Sequence, residues 1–137
     1  MTVQAVPFAV PPAVAFDYLA DPHRRPEWQS SLARVEDVDG GPRVGQTWVD
    51  VTKPGVRPAM ETTELDRPTR WTEVGTWRGF SATLTLTFTE TATGCDVEPV
   101  MDLRGRGIAA PFARALGLAA PYAVRSDLRH AAARLSQ

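Results

Sequence analysis

Phe80-Ser-Ala-Thr-Leu-Thr-Leu-Thr-Phe-Thr89 alternates apolar and hydroxyl side chains from end to end. Phe80, Ala82, Leu84, Leu86 and Phe88 fall on one parity, and Ser81, Thr83, Thr85, Thr87 and Thr89 on the other. Successive strand side chains point to opposite faces, so this run is a strand with one face in a core and the other in water. Half-solvated sheets of that kind are antiparallel.

The period-two signal extends in both directions. It predicts strands over 32–38, 46–53, 59–66, 70–77, 81–89 and 95–103. Turn chemistry separates them at Asp39-Gly-Gly-Pro42, Lys53-Pro-Gly55, Asp66-Arg-Pro68 and Thr91-Ala-Thr-Gly94. Connections this short imply antiparallel neighbours. Upstream, Val6, Phe8 and Val10 predict a further strand within 2–10, and Pro7, which has no amide to donate, places it at an edge.

Pro11-Pro12 then opens a short helix carrying Ala15, Phe16 and Leu19, which Asp21-Pro22 ends because a residue before proline is pushed out of the helical region. Residues 23–30 give a second helical turn around Pro26 and Trp28. Downstream, 107–135 repeats Ile108, Phe112, Leu116, Val124, Leu128 and Leu135 at helical spacing, with a kink or break expected near Ala120 from Pro121. The apolar face of the sheet needs a cover, and only this helix is long enough to supply one. The fold class that follows is α+β.

The chain has 137 residues, enough for one core, so residues 1–137 are read as one domain. A net charge of −1 calls for no polyanionic partner, and the strands lack interleaved aromatic and basic residues, so no nucleic acid is expected. Cys95 is the single cysteine, and with only His23 and His130 beside it there is no zinc-like spacing; no metal and no cofactor are expected. With neither a leader pattern nor a long unbroken apolar run, the expectation is a cytoplasmic protein without stable membrane insertion. A homodimer is left open.

Several stretches resemble a known family. Phe8-Ala-Val-Pro-Pro-Ala-Val-Ala-Phe-Asp-Tyr-Leu-Ala-Asp-Pro22 followed by Pro26-Glu-Trp28 resembles the opening of the polyketide cyclase/dehydrase branch of the START-like (SRPBCC) superfamily. Val44-Gly-Gln-Thr-Trp48 and Asp66-Arg-Pro-Thr-Arg-Trp71 are weaker landmarks of the same group, and the similarity spans nearly the whole chain. The sequence departs from the pattern at Pro11-Pro12, Gly94-Cys95 and Pro99. The resemblance implies a helix-grip fold: a curved antiparallel sheet of about six or seven strands wrapped around a long C-terminal helix, with two short helices after the first strand. It also implies a cavity between sheet and helix, in a group ranging from lipid carriers to ring-closing enzymes. Fold alone does not settle function.

Strand parity nominates the cavity residues. Trp48 and Asp50 share a face, as do Glu61, Thr63 and Leu65, and Trp71, Glu73, Gly75 and Trp77. Ligand-binding candidates are therefore Trp48, Trp71 and Trp77, joined by Leu84, Leu86, Met101, Phe112 and Leu116. Asp50, Glu61 and Glu73 are the catalytic candidates, since a carboxyl desolvated beside tryptophan has a raised pKa and can transfer protons near neutral pH. The competing reading is that these acids are solvated: a one-residue change of parity would turn all of them outward, and Val49 and Val51 compete with Trp48 and Asp50 for the interior.

Trp28 reads as a structural plug, His23 as part of an exposed turn, Cys95 as a small buried apolar residue, and Gly105-Arg-Gly107 as a flexible turn. The expected function is binding of a small hydrophobic molecule such as a polyketide or lipid, with cyclisation or dehydration as its enzymatic form. The alternative is an interaction module whose Arg114, Arg125, Arg129 and Arg134 put the last helix on a membrane or partner protein.

Overall fold

A computed structural model describes residues 4–107 and 110–137, with side chains outside the description at 112–119. Strand β1 (Val6–Phe8) leads into helix α1 (Pro12–Leu19), a 3-10 turn (Pro22–Arg24) and the short α2 (Arg25–Trp28). Six strands follow: β2 (Leu32–Asp39), β3 (Thr47–Thr52), β4 (Ala59–Asp66), β5 (Arg70–Trp77), β6 (Phe80–Thr91) and β7 (Gly94–Gly105). Helix α3 (Ala110–Leu135) closes the chain. The strands form one antiparallel sheet in the order β1-β7-β6-β5-β4-β3-β2. This is the helix-grip α+β architecture.

Residues 80–89 behave as their alternation requires. Leu84, Leu86 and Phe88 are buried, and β6 pairs along its whole length with β7, from Phe80 opposite Gly105 to Thr91 opposite Gly94. β1 shrinks to three residues at the sheet edge, paired only with β7. Pro7 costs nothing there because an edge strand has one side without a partner.

The core lies between the inner face of the sheet and the helices. Phe16 of α1 packs on Phe88 with ring centroids 5.2 Å apart. Leu128 and Ala131 of α3, both at 0% exposure, join Trp71 and Leu86 in that core. The apolar residues of α3 beyond Pro121 thus cover the sheet, as the amphipathic spacing demands. The break expected near Ala120 does not occur: α3 runs unbroken through Pro121, which is itself buried. Proline removes one intrahelical hydrogen bond, and packing of the following turns at Leu128 and Ala131 holds the helix together across it.

Outside the core, Arg67 grips Asp17 of α1 with two parallel hydrogen bonds of 2.7 and 2.9 Å. Both side chains are more than half exposed, so water competes for the pair. Replacing Asp17 by Asn is expected to cost less than about 1 kcal/mol in urea unfolding. A larger loss would mean that the clasp orders the β4–β5 turn against α1.

Candidate functional site

The site begins with a turn the sequence punctuates twice. The Asp21 carboxylate accepts the His23 amide at 3.0 Å and starts the 3-10 turn, with Pro22 in its first position. Pro26 takes the second position of α2. Between them the chain swings Arg24 outward to Glu27, at 3.2 Å, and Arg25 inward to 2% exposure.

Arg25 meets two carboxylates from different strands. Its Nη2 donates to Asp50 Oδ2 on β3 at 3.2 Å and to Glu73 Oε1 on β5 at 3.1 Å. Nη1 lies 2.8 Å from Glu73 Oε2. The guanidinium sits between two indoles, 5.8 Å from the Trp28 ring and 5.5 Å from that of Trp48. Trp48 also donates its Nε1 hydrogen to Asp50 Oδ1 at 2.9 Å, which fixes that carboxylate. All of these groups are buried.

One cation faces two carboxylates, so one negative charge in the cluster is unbalanced. Burial pushes the Glu73 carboxyl above its ordinary range, Arg25 pulls it down, and Asp50 pushes it up again; desolvation wins. The same two carboxylates hold Arg25 firmly protonated against its own desolvation. A carboxyl that takes up protons more readily when folded loses stability as pH rises from its unfolded value, about 4.5, through its raised folded value. Glu73→Gln should remove that descending segment while leaving Arg25 paired with Asp50. Urea midpoints of the two proteins would then diverge as pH increases above the ordinary carboxylate range, the variant keeping the higher value. Parallel curves would show that Glu73 has the same proton affinity folded and unfolded.

Next to the cluster lies a cavity of about 390 Å³. Arg25, Asp50, Glu73 and Gln29 supply its polar part. Its described walls are otherwise apolar, with Met60, Trp77, Phe80 and Ala82 on one side of the set and Leu84, Met101 and Leu103 completing it. The hollow has a cause in the sheet register. Gly75 on β5 faces Ala82 on β6, which faces Leu103 on β7, so the two smallest inward residues are neighbours. A Cβ on Gly75 would lie 2.7 Å from Met60 Sδ, so glycine is what lets Met60 lie along the wall. Trp77 stacks on Phe80 with centroids 6.4 Å apart, and Arg78 sits 5.0 Å from the Trp77 ring.

The sequence candidates divide accordingly. Asp50, Glu73, Trp77, Leu84 and Met101 line the cavity. Trp48, Trp71 and Leu86 do not: they are buried in the closed core, where Trp48 supports Asp50 and Trp71 donates its Nε1 hydrogen to Thr62 Oγ1 at 3.4 Å. Glu61 is exposed on the outer face of the sheet. The register of β4 shifts between Thr62 and Glu64, so Met60 and Thr62 point inward while Leu65 still reaches the core, and uniform parity from Leu65 back to Glu61 fails. Phe112 and Leu116 have side chains outside the described residues.

Arg25 is the residue the sequence reading missed. It was hidden in Pro22-His-Arg-Arg-Pro26, which looks like an exposed turn. The signal for it was indirect: two inward acids on neighbouring strands demand a buried cation. Trp28 is buried with its ring over Arg25. Cys95 is fully buried, and desolvation pushes its thiol up, which keeps it unreactive. Among the described residues no group of His, Cys, Asp and Glu is arranged to hold a metal ion, and no helix is long and apolar enough to cross a membrane.

A family model described as polyketide cyclase / dehydrase and lipid transport matches residues 2–137. The chain belongs to that family. Its START-like helix-grip fold recurs in solved structures. Protein MLL2253 from Mesorhizobium loti superposes with a TM-score of 0.75 at 20% identity, covering 99% of this chain and 97% of that one. The di-domain ARO/CYC StfQ from the steffimycin biosynthetic pathway gives 0.75 at 16% identity over 95% of this chain and 48% of its own. CV1439 from Chromobacterium violaceum gives 0.69 at 17% identity, over 99% and 97% of the two chains. Identities this low speak for the fold alone. No curated protein matches the chain.

Proposed function

We propose that this polyketide cyclase / dehydrase family protein holds a small, largely apolar molecule, polyketide or lipid in character, in the cavity on the inner face of its sheet. The observation that carries this reading is the pairing of apolar walls with a single buried polar cluster of Arg25, Asp50 and Glu73. Walls of that kind supply affinity, and a few convergent polar groups fix orientation.

The same cluster favours an enzymatic form of the function. Aldol-type ring closure takes a proton from carbon and gives one to the attacked carbonyl oxygen, and dehydration takes a proton from carbon and gives one to the departing hydroxyl. Glu73, with its carboxyl raised by burial and in contact with the cavity, is suited to exchange that proton, with Arg25 and Asp50 positioning it.

Native mass spectra and a thermal-shift screen against aromatic polyketides, sterols, fatty acids and flavonoids test the reading. A molecule that binds only the folded protein raises its melting temperature by mass action. A screen in which no apolar compound binds or co-purifies would sink it. For compounds that bind, turnover by the wild type and its loss in Glu73→Gln would distinguish an enzyme from a carrier.

A further inference from the structure

The chemistry of the buried cluster says what kind of polar group the ligand carries. Arg25 is the only cation among the described cavity residues, and both its Nη atoms lie against carboxylates. The Trp28 and Trp48 rings lie against its faces. An incoming carboxylate or phosphate would meet an already unbalanced negative charge and find only the Nε hydrogen of Arg25 clear of a carboxylate. Burying a second uncompensated anion beside the first is strongly unfavourable.

Three polar atoms of the Arg25–Glu73 pair are nevertheless without a hydrogen bond. Arg25 Nε is a buried donor with no acceptor, and Arg25 Nη1 and Glu73 Oε2, 2.8 Å apart, are paired in charge but without an aligned hydrogen bond. Arg25 Nε, a donor clear of any carboxylate, and Glu73 Oε2, an acceptor without an aligned hydrogen, belong to two residues that line the same cavity and are complementary to a hydroxyl, which donates one hydrogen and accepts another.

We propose that the cavity selects neutral apolar molecules that end in a hydroxyl group (alcohol, phenol or enol) and discriminates against the carboxylate-ended molecule of the same shape. The proposal rests on the cavity being a ligand site, and it names the ligand's polar end. The hydroxyl donates toward Glu73 and accepts from Arg25 Nε, while Asp50, held by Trp48, keeps Arg25 in place.

Matched pairs test it: 2-naphthol against 2-naphthoate, and 1-dodecanol against dodecanoate, titrated into the 137-residue chain at neutral pH by fluorescence displacement or calorimetry. Each hydroxyl compound is expected to bind at least tenfold more tightly than its carboxylate partner. Glu73→Gln, which leaves one cation to one carboxylate, is expected to narrow that gap severalfold by improving carboxylate binding. Carboxylates that bind as tightly as the alcohols would overturn the proposal, as would a gap that Glu73→Gln leaves unchanged. Failure of both pairs while other apolar compounds bind would overturn it too. If no apolar compound of any kind binds, it is the ligand-site reading itself that fails.

Discussion

Arg25→Met is expected to destabilise the protein by about 3–5 kcal/mol at neutral pH, the cost of removing one partner from a buried ion cluster. Methionine replaces much of the packing between Trp28 and Trp48, so the loss is electrostatic in origin. It leaves Asp50 and Glu73 facing each other in the interior with no cation. The loss should therefore shrink as pH falls into the carboxylate range, where protonation relieves the repulsion. Adding Asp50→Asn and Glu73→Gln to Arg25→Met should recover part of the lost stability, because the uncompensated charges go and the amide oxygen introduced at position 50 can still accept from Trp48. Chemical denaturation at two pH values checks all three statements. A loss below about 1 kcal/mol, like that expected for the exposed Asp17 pair, would mean that water reaches the cluster.

The contrast between these two arginine pairs also shows where the sequence could be read and where it could not. Residues 80–89 declare their strand because every position obeys one period, and the helical spacing through Leu128 and Ala131 declares the cover. Both signals are local. Glu61 was misplaced because the shift in β4 at Thr62/Glu64 arises from pairing with β5, and a bulge has no period of its own. Trp48 and Trp71 share the inward face with Asp50 and Glu73, yet parity gives a face and not a depth: the tryptophans sit in the closed core, away from the lining of the cavity. Arg25 was invisible for a different reason. Its partners lie 25 and 48 residues away on separate strands, and only the assembled sheet brings them together. The site is thus a product of register, while the fold is a product of pattern.

Register also decides where a ligand can be excluded without unfolding the protein. Ala82 and Gly75 are small inward residues opposite each other on β6 and β5, and the space that they leave is walled by Trp77, Phe80, Leu84 and Leu103. Ala82→Trp would place an indole in that space. Filling a void restores packing contacts, so the expected change in stability is within about 1–2 kcal/mol of wild type. Affinity for any apolar ligand identified in the screen should fall by a factor of ten or more, since the indole and the ligand need the same volume. Thr83→Trp is the matched control: its side chain takes the opposite face of β6 from Ala82, so it adds the same bulk away from the cavity and should leave binding intact. If Ala82→Trp folds and still binds as the wild type does, the ligand lies elsewhere and the buried cluster is structural. If Thr83→Trp loses binding as well, the sheet responds to bulk on either face, and occupancy of the cavity must be shown directly by a structure of the complex.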